Sequence, residues 1–385
     1  MKYCKKCLQP DTRPHIEFDQ EGVCYACRWQ EKVNKEIEWE KRREQLQKIA
    51  EWAKKNNKGT HDCVIGVSGG KDSTFQALFA KEELGLNCLL ANLAPDKITK
   101  WGAHNIENLI QHGFDTLKYR PNPKIWKKLI KYSFYNYGNP VKPTEYCLWA
   151  CSYITALKFN IPLIIQGENA GLTLGVAKGV GKGDDALNVN QLDTMAGGNA
   201  SDWFIDGVRL EDVLWYQFPN KEELKKSKIR AIWLNYYIKE WGATHNTEFS
   251  KKHGLMGREN HNPKLTGRLS PYNALDAESH QIVNQMIKYL KFGFGFVTDE
   301  VCYLIREGNM TREEGVKKIE KYDGKCGEIY LKEFCDYLDI SIDGFWKVTD
   351  QYVNKKLFKK GSKQGEYTPR FSVGKDFEEE HIITA

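Results

Sequence analysis

The sequence predicts an α/β chain built on a doubly wound parallel sheet, with a small cysteine-bearing module before it and a mainly helical region after it. Three observations carry this reading. Strand-like and helix-like segments alternate from about residue 62 to 169. The apolar run Cys63–Val67 passes through Ser68-Gly69-Gly70 directly into a helical pattern. Two C-x-x-C pairs occupy the first 27 residues.

Cys4-Lys5-Lys6-Cys7 and Cys24-Tyr25-Ala26-Cys27 stand sixteen residues apart, a C-x2-C-x16-C-x2-C spacing. Each pair makes a tight knuckle presenting two thiolates, so Cys4, Cys7, Cys24 and Cys27 predict a tetrahedral zinc site. With all four positions supplied by protein, that zinc is structural, in a module at 1–28. From 29 to 58, Trp29, Val33, Ile37, Leu46, Ile49 and Trp52 recur at near-helical intervals, which predicts one long connecting helix.

The third unit is expected at 59–210, with strands at 62–67, 88–94, 116–119 and 162–166. Helices are expected near 73–85, 101–112, 124–136 and 147–159. Ligands of such sheets bind outside the carboxyl ends of the strands, where Ser68–Ser73 and Gly167-Glu168-Asn169 fall. The Gly-rich stretch Gly171–Ser201, with Gly179-Val180-Gly181-Lys182-Gly183 at its middle, is read either as a substrate cover or as a linker. Residues 211–385 are expected to form a mainly helical region that meets substrate or partner. Thr311-Arg312-Glu313-Glu314 there is a capping box, Gly324 a helix stop, and Asn273–Gly295 holds another apolar-periodic helix.

Gly69 and Gly70 let backbone N–H groups converge on one anion, and the following helix adds its positive dipole end. The spacing is neither the G-x-x-x-x-G-K-S/T of kinases and GTPases nor a dinucleotide G-x-G-x-x-G. Ser68-Gly69-Gly70-Lys71-Asp72-Ser73-Thr74 instead resembles the PP-loop of ATP pyrophosphatases, which split ATP between its α and β phosphates. The resemblance implies a PP-loop (HUP-like) domain in which Ser68, Gly69, Gly70, Lys71, Asp72, Ser73 and Thr74 hold the phosphates. Lys71, Asp72 and Ser73 are the expected catalytic residues. Gly167, Glu168 and Asn169 complete the nucleotide site, and Asp72 with Glu168 would hold Mg²⁺. For Glu168 a loop or helix-cap carboxylate is an equal alternative.

The net charge of +6, from 57 basic and 51 acidic residues in 385, is small and well mixed. It suits an anionic substrate without calling for nucleic acid. No apolar run long enough to span a bilayer occurs, so no membrane role and a cytoplasmic location are expected. In that compartment the eleven cysteines stay reduced. Cys147 and Cys151 sit one helical turn apart and are read first as buried core residues, with a metal or iron–sulfur cluster as the alternative.

The full order of motifs is Met-Lys-Tyr-Cys-Lys-Lys-Cys, Pro-Asp-Thr-Arg-Pro, Gly-Val-Cys-Tyr-Ala-Cys, then Ser-Gly-Gly-Lys-Asp-Ser-Thr. With Gln166–Asn169 and Lys291–Gly295 through Gly324, it resembles the N-acetyl sugar amidotransferase family of the WbpG and PseA kind. That resemblance implies ATP-dependent conversion of a sugar acetamido group to an acetamidino group, with AMP and pyrophosphate as products. It also implies a separate glutaminase subunit and a cyclase-like ammonia-channel subunit, resembling the histidine-biosynthesis pair. Two acceptor classes stay open: a nucleotide-linked diacetamido uronic acid for lipopolysaccharide O-antigen, or a nonulosonic acid such as pseudaminic acid for flagellin glycans. The alternative activities are a PP-loop tRNA thiolase and a zinc-bearing nucleotide-binding scaffold.

Overall fold

A computed structural model of the chain describes residues 1–176, 181–189, 200–273, 275 and 278–377. From the N-terminal cysteines, α1 (Tyr25–Lys35) and α2 (Trp39–Asn56) lead into β1 (Cys63–Val67), α3 (Lys71–Glu82), β2 (Cys88–Leu93), α4 (Lys100–Gln111) and β3 (Asp115–Tyr119). Two long helices, α5 (Pro123–Tyr137) and α6 (Lys142–Phe159), precede β4 (Leu163–Gln166). The one-turn α7 (Ala170–Thr173), α8 (Lys221–Ser227) and β5 (Arg230–Trp233) follow.

The five strands run parallel in the order β3-β2-β1-β4-β5, in register from Cys63 opposite Cys88 on one side and Leu163 on the other. β1, β2 and β4 are almost wholly buried, as their continuous apolar sequences require of strands covered on both faces. Chain direction across the sheet reverses between β1 and β4. Their carboxyl ends therefore splay into a crevice, where an open α/β sheet binds its ligand. Helices α2, α3 and α4 pack on one face, and α6 on the other.

Beyond the sheet lie α9 (Ala243–Lys252), α10 (Pro263–Thr266), α11 (Glu278–Phe292), α12 (Phe296–Arg306), α13 (Arg312–Tyr322), α14 (Glu328–Leu338) and α15 (Ile342–Tyr352). A small antiparallel hairpin, β6 (Phe358–Lys360) and β7 (Tyr367–Pro369), follows them. The expected capping box is present: Glu314 N–H donates to Thr311 Oγ1 at 3.2 Å, and Thr311 N–H to Glu314 Oε2 at 2.9 Å. The helix it starts ends just before Gly324.

Two expectations are corrected. The unit expected to end at 210 extends further, because β5 completes the sheet and α9 packs on α3. Residues 29–58 form two helices rather than one. Trp39 Nε1 donates to Val33 O at 3.0 Å, and Arg42 lies over the rings of Trp29, Trp39 and Tyr236. These tertiary contacts fix a bend that no Gly or Pro announces. The N-terminal module packs into the rest of the chain. Its four cysteines, Met1 and Leu8 belong to the same apolar core as α11–α15.

Of the Gly-rich stretch, 177–180 and 190–199, Gly179 and Val180 among them, lie outside the described residues. Of the described part, Leu172, Thr173, Leu174 and Val176 line the cavity that also holds Lys71 and Glu168, while 184–185 lies along β5: Trp233 N–H donates to Asp184 O at 2.9 Å, and Trp233 Nε1 to Asp185 O at 3.0 Å. Among the described residues no helix is long and apolar enough to cross a membrane.

Candidate active site

At the end of β1 the chain turns through Gly69 with φ +76°, in the left-handed region. A Cβ there would sit 3.2 Å from both Gly102 O and Asn105 Cβ of α4, so geometry and space both call for glycine. Ser73 Oγ closes the loop, accepting from Ser68 N–H at 3.4 Å and donating to Gly70 O at 3.2 Å. Thr74 Oγ1 is buried and has no hydrogen-bond partner. On the first turn of α3, Lys71 is only 8% exposed. Its Nζ donates to Asp72 Oδ2 at 2.5 Å.

Helix α9 braces this turn from outside the sheet. Ser250 Oγ donates to Lys71 O at 2.7 Å, and Asn246 Nδ2 to Asp72 Oδ1 at 2.8 Å. Burial works against the Lys71 charge, but Asp72, Glu168 and Glu300 outweigh it and hold its pKa above the ordinary value. Across the crevice, burial and the nearby Asp72 push the Glu168 carboxyl up. Asp72 and Glu168 both offer carboxylate oxygens to this space, the donor type that a Mg²⁺ ion takes.

The other expected residues are placed differently. Gly167 lies where a Cβ would strike Trp241 at 2.7 Å and Gln76 Oε1 at 2.8 Å, so it allows a close approach of side chains. Asn169 is fully buried: its Oδ1 accepts from Gly171 N–H at 2.8 Å, and its Nδ2 donates to Gly183 O at 2.9 Å. Lys71, Asp72 and Glu168 all line one cavity of about 1690 Å³, and Tyr303 of α12 reaches across it to hydrogen-bond Glu168 Oε1.

The expected metal ligands converge. Cys4, Cys7, Cys24 and Cys27 bring their sulfurs within 4.8 Å of one another, all buried. Cys4–Cys27 and Cys7–Cys24 Sγ separations are 3.8 and 3.7 Å. A tetrahedron of thiolates with Zn–S bonds of about 2.3 Å has edges of about 3.8 Å, so the cradle fits that ion. Cys24 N–H donates to Cys4 Sγ at 3.3 Å, and Gln9 N–H to Cys7 Sγ at 3.5 Å. Cys147 and Cys151 instead pack in two different apolar clusters. Burial raises both thiols, that of Cys151 to about 12, which fits the core reading.

Residues 266–370 match the family described as LPS biosynthesis protein WbpG-like, C-terminal domain. The resemblance expected from the sequence motifs is met there. No curated protein matches the chain. The solved structures that align with it include two enzymes. The NMN synthetase from Francisella tularensis shares 15% identity, covering 59% of this chain and 100% of that one at a TM-score of 0.28. The U34-tRNA thiolase NcsA from Methanococcus maripaludis, determined with its 4Fe–4S cluster, shares 12%, covering 80% and 87% at 0.30.

The WbpG-like domain supplies most of the charged groups that motif reading missed. On α12, Asp299 and Tyr303 are one turn apart and both line the cavity. Asp299 pairs with Arg13 of the N-terminal module and with Lys288 Nζ of α11 at 2.8 Å. Burial works against its charge, yet the two cations hold its carboxyl below the usual range. Arg306, the next turn on, donates to Thr173 O at 3.0 Å beside Glu168 and lies over the Tyr303 ring. No local spacing marks these residues as partners of a loop more than 200 positions away. The i, i+4 repeat of Asp299 and Tyr303 was the one available signal.

Glu300 shapes the cavity wall by accepting from Leu269 N–H at 2.6 Å, Ser270 N–H at 3.0 Å and Asn273 Nδ2 at 2.7 Å. Burial raises its pKa from 4.5 to about 6. Because the folded value is the higher one, the folded chain binds this proton more tightly, and stability is lost as pH rises from about 4.5 through 6. Unfolding free energies of wild type and Glu300→Gln from urea titrations should therefore move relative to one another by about 2 kcal/mol in favour of the Gln variant between pH 4.5 and 7. A difference independent of pH would contradict this placement of the carboxylate.

Proposed function

We propose that the chain is an ATP-dependent amidotransferase that converts an acetamido group of a bacterial sugar to an acetamidino group. The observation that carries this reading is the shared cavity: the PP-loop residues Lys71 and Asp72 face Tyr303 and Glu300 of a WbpG-like domain across one space. At about 1690 Å³ it exceeds the usual volume of a single-ligand pocket, roughly 300–1000 Å³, and so suits ATP and an acceptor together.

An amide oxygen is a poor leaving group, and adenylation corrects that. The carbonyl oxygen of the acetamido group bonds to the α-phosphorus while the α–β bridging oxygen leaves with pyrophosphate. Ammonia then adds to the imidate carbon, the C–O bond breaks, and AMP departs with the original carbonyl oxygen, leaving the amidine. Lys71, the loop amides and the N-terminus of α3 stabilise charge on the departing pyrophosphate. Mg²⁺ on Asp72 and Glu168 would add charge neutralisation at the phosphates. Tyr303 positions Glu168, and Asn246 positions Asp72.

The acceptor is either a nucleotide-linked diacetamido uronic acid or a nonulosonic acid, in O-antigen or flagellin glycan synthesis. Ammonia comes from a glutaminase partner through a cyclase-like channel subunit. The Cys4 cluster holds structural zinc. The test is to incubate the protein with ATP, Mg²⁺, ammonium and a panel of such sugars. The reading predicts AMP release together with replacement of O by NH in the sugar. AMP formation driven instead by tRNA and a sulfur donor would replace it with the thiolase reading.

A further inference from the structure

Away from the PP-loop, the same cavity ends in a corner formed by α5, α6 and α11. Two lysines meet there around Tyr137. Lys291 Nζ donates to Tyr137 O at 2.8 Å and lies 5.3 Å from the Tyr352 ring centre. Lys142 Nζ lies 4.7 Å from the Tyr137 ring centre. Among the described residues neither lysine ion-pairs with a carboxylate. Burial and the adjacent Lys142 lower the Lys291 pKa to about 8, the mark of a cation without a counter-charge.

Glu145, one turn after Lys142 on α6, lines the same corner. Its Oε2 is buried and makes no hydrogen bond. Burial pushes its pKa up to about 8, against the pull of Lys142 and Lys288. The corner thus carries Arg13, Lys142, Lys288 and Lys291, with Asp299 as the carboxylate held ionised among them. With Arg13 and Lys288 paired to Asp299, the half-buried Lys142 and Lys291 are the cations left to meet an anion.

We propose that this corner binds the anionic group of the sugar acceptor: Lys142 and Lys291 pair with a carboxylate or phosphate, and Glu145 accepts from a sugar hydroxyl or amide N–H. The assignment rests on the sugar-acceptor reading and fixes the acceptor's orientation. Its charged end lies at α6 and α11, which leaves the acetamido group to face the PP-loop. Lysine serves here as a point charge, suited to either anion.

The test is calorimetric binding without ATP, using wild type, Lys142→Met/Lys291→Met and Lys142→Arg/Lys291→Arg. The probes are N-acetylneuraminic acid (carboxylate only), UDP-N-acetylglucosamine (diphosphate only) and neutral N-acetylmannosamine. Wild type should bind one of the anionic probes at least tenfold more tightly than N-acetylmannosamine, and which one identifies the anion. The Met pair should lose that preference, and the Arg pair should keep it. No anionic preference in wild type, or the same preference in the Met pair, would overturn the proposal. Failure of the parent reading looks different: anion binding would follow the lysines, yet no sugar would elicit AMP. Conversely, amidine formation by the Met pair with unchanged KM would sink the subsite and leave the activity standing.

Discussion

Replacing Lys71 with Met should lower the rate of AMP formation by about 10³-fold or more, corresponding to roughly 4 kcal/mol of lost transition-state stabilisation. Breaking the α–β anhydride requires little of the protein beyond positioned positive charge, so losing the cation at the loop removes a main part of the catalysis. Lys71 is the buried cation on the first turn of α3, held by Asp72 and braced through its own carbonyl by Ser250. It is also the counter-charge for Asp72, Glu168 and Glu300, so the Met variant should melt somewhat lower. Lys71→Arg separates the two roles. It restores the charge and the melting temperature, but a planar fork cannot take the place of an ammonium packed this tightly, and the rate should stay low. Steady-state AMP release and thermal melts on the three proteins check this. A Met variant within tenfold of wild type would remove Lys71 from the chemistry.

Cys24→Ser, or stripping the metal with a strong chelator, should abolish cooperative folding of the C-terminal half rather than merely loosen the N-terminus. A structural zinc site contributes on the order of 10–16 kcal/mol, comparable to or larger than the whole stability of a typical domain, about 5–15 kcal/mol. What makes the effect global here is the packing. The four cysteines share one core with α11–α15. The Met1 ammonium donates to Phe377 O at 2.6 Å, Tyr3 N–H to Asp376 Oδ1 at 3.0 Å, and Thr12 Oγ1 to Phe292 O at 2.5 Å. Arg13 then carries the module into the cavity through Asp299. Loss of zinc, measured by metal analysis, should thus coincide with loss of the melting transition and of AMP formation. A zinc-free protein that melts like wild type would show the cysteines to be ordinary core residues.

The parts of this architecture legible in the sequence are those encoded locally. Strands β1, β2 and β4 fall within a residue or two of their apolar runs, because a strand buried on both faces must be written as one. The PP-loop and the two cysteine knuckles are short motifs whose chemistry depends on adjacent residues. β5 was not legible: Arg230-Ala231-Ile232-Trp233 is four residues following a lysine-rich helix, too short for periodicity to distinguish. Nor was the cavity. Asn246 becomes a site residue only when α9 packs on α3, and Lys288, Lys291 and Tyr303 only when α11 and α12 close the cavity. Asn169 shows the converse, a residue beside the nucleotide crevice whose side chain is committed to the neighbouring loop.

The central claim is that the acetamido oxygen is adenylated at the PP-loop and leaves as part of AMP. An acceptor sugar labelled with oxygen-18 in its acetamido carbonyl, incubated with ATP, Mg²⁺ and ammonium, tests it directly by mass spectrometry of the released AMP. The account predicts one labelled oxygen in each AMP formed, matched by one amidine. AMP without label would contradict it, since the nucleotide would then have been hydrolysed by water rather than transferred to the sugar.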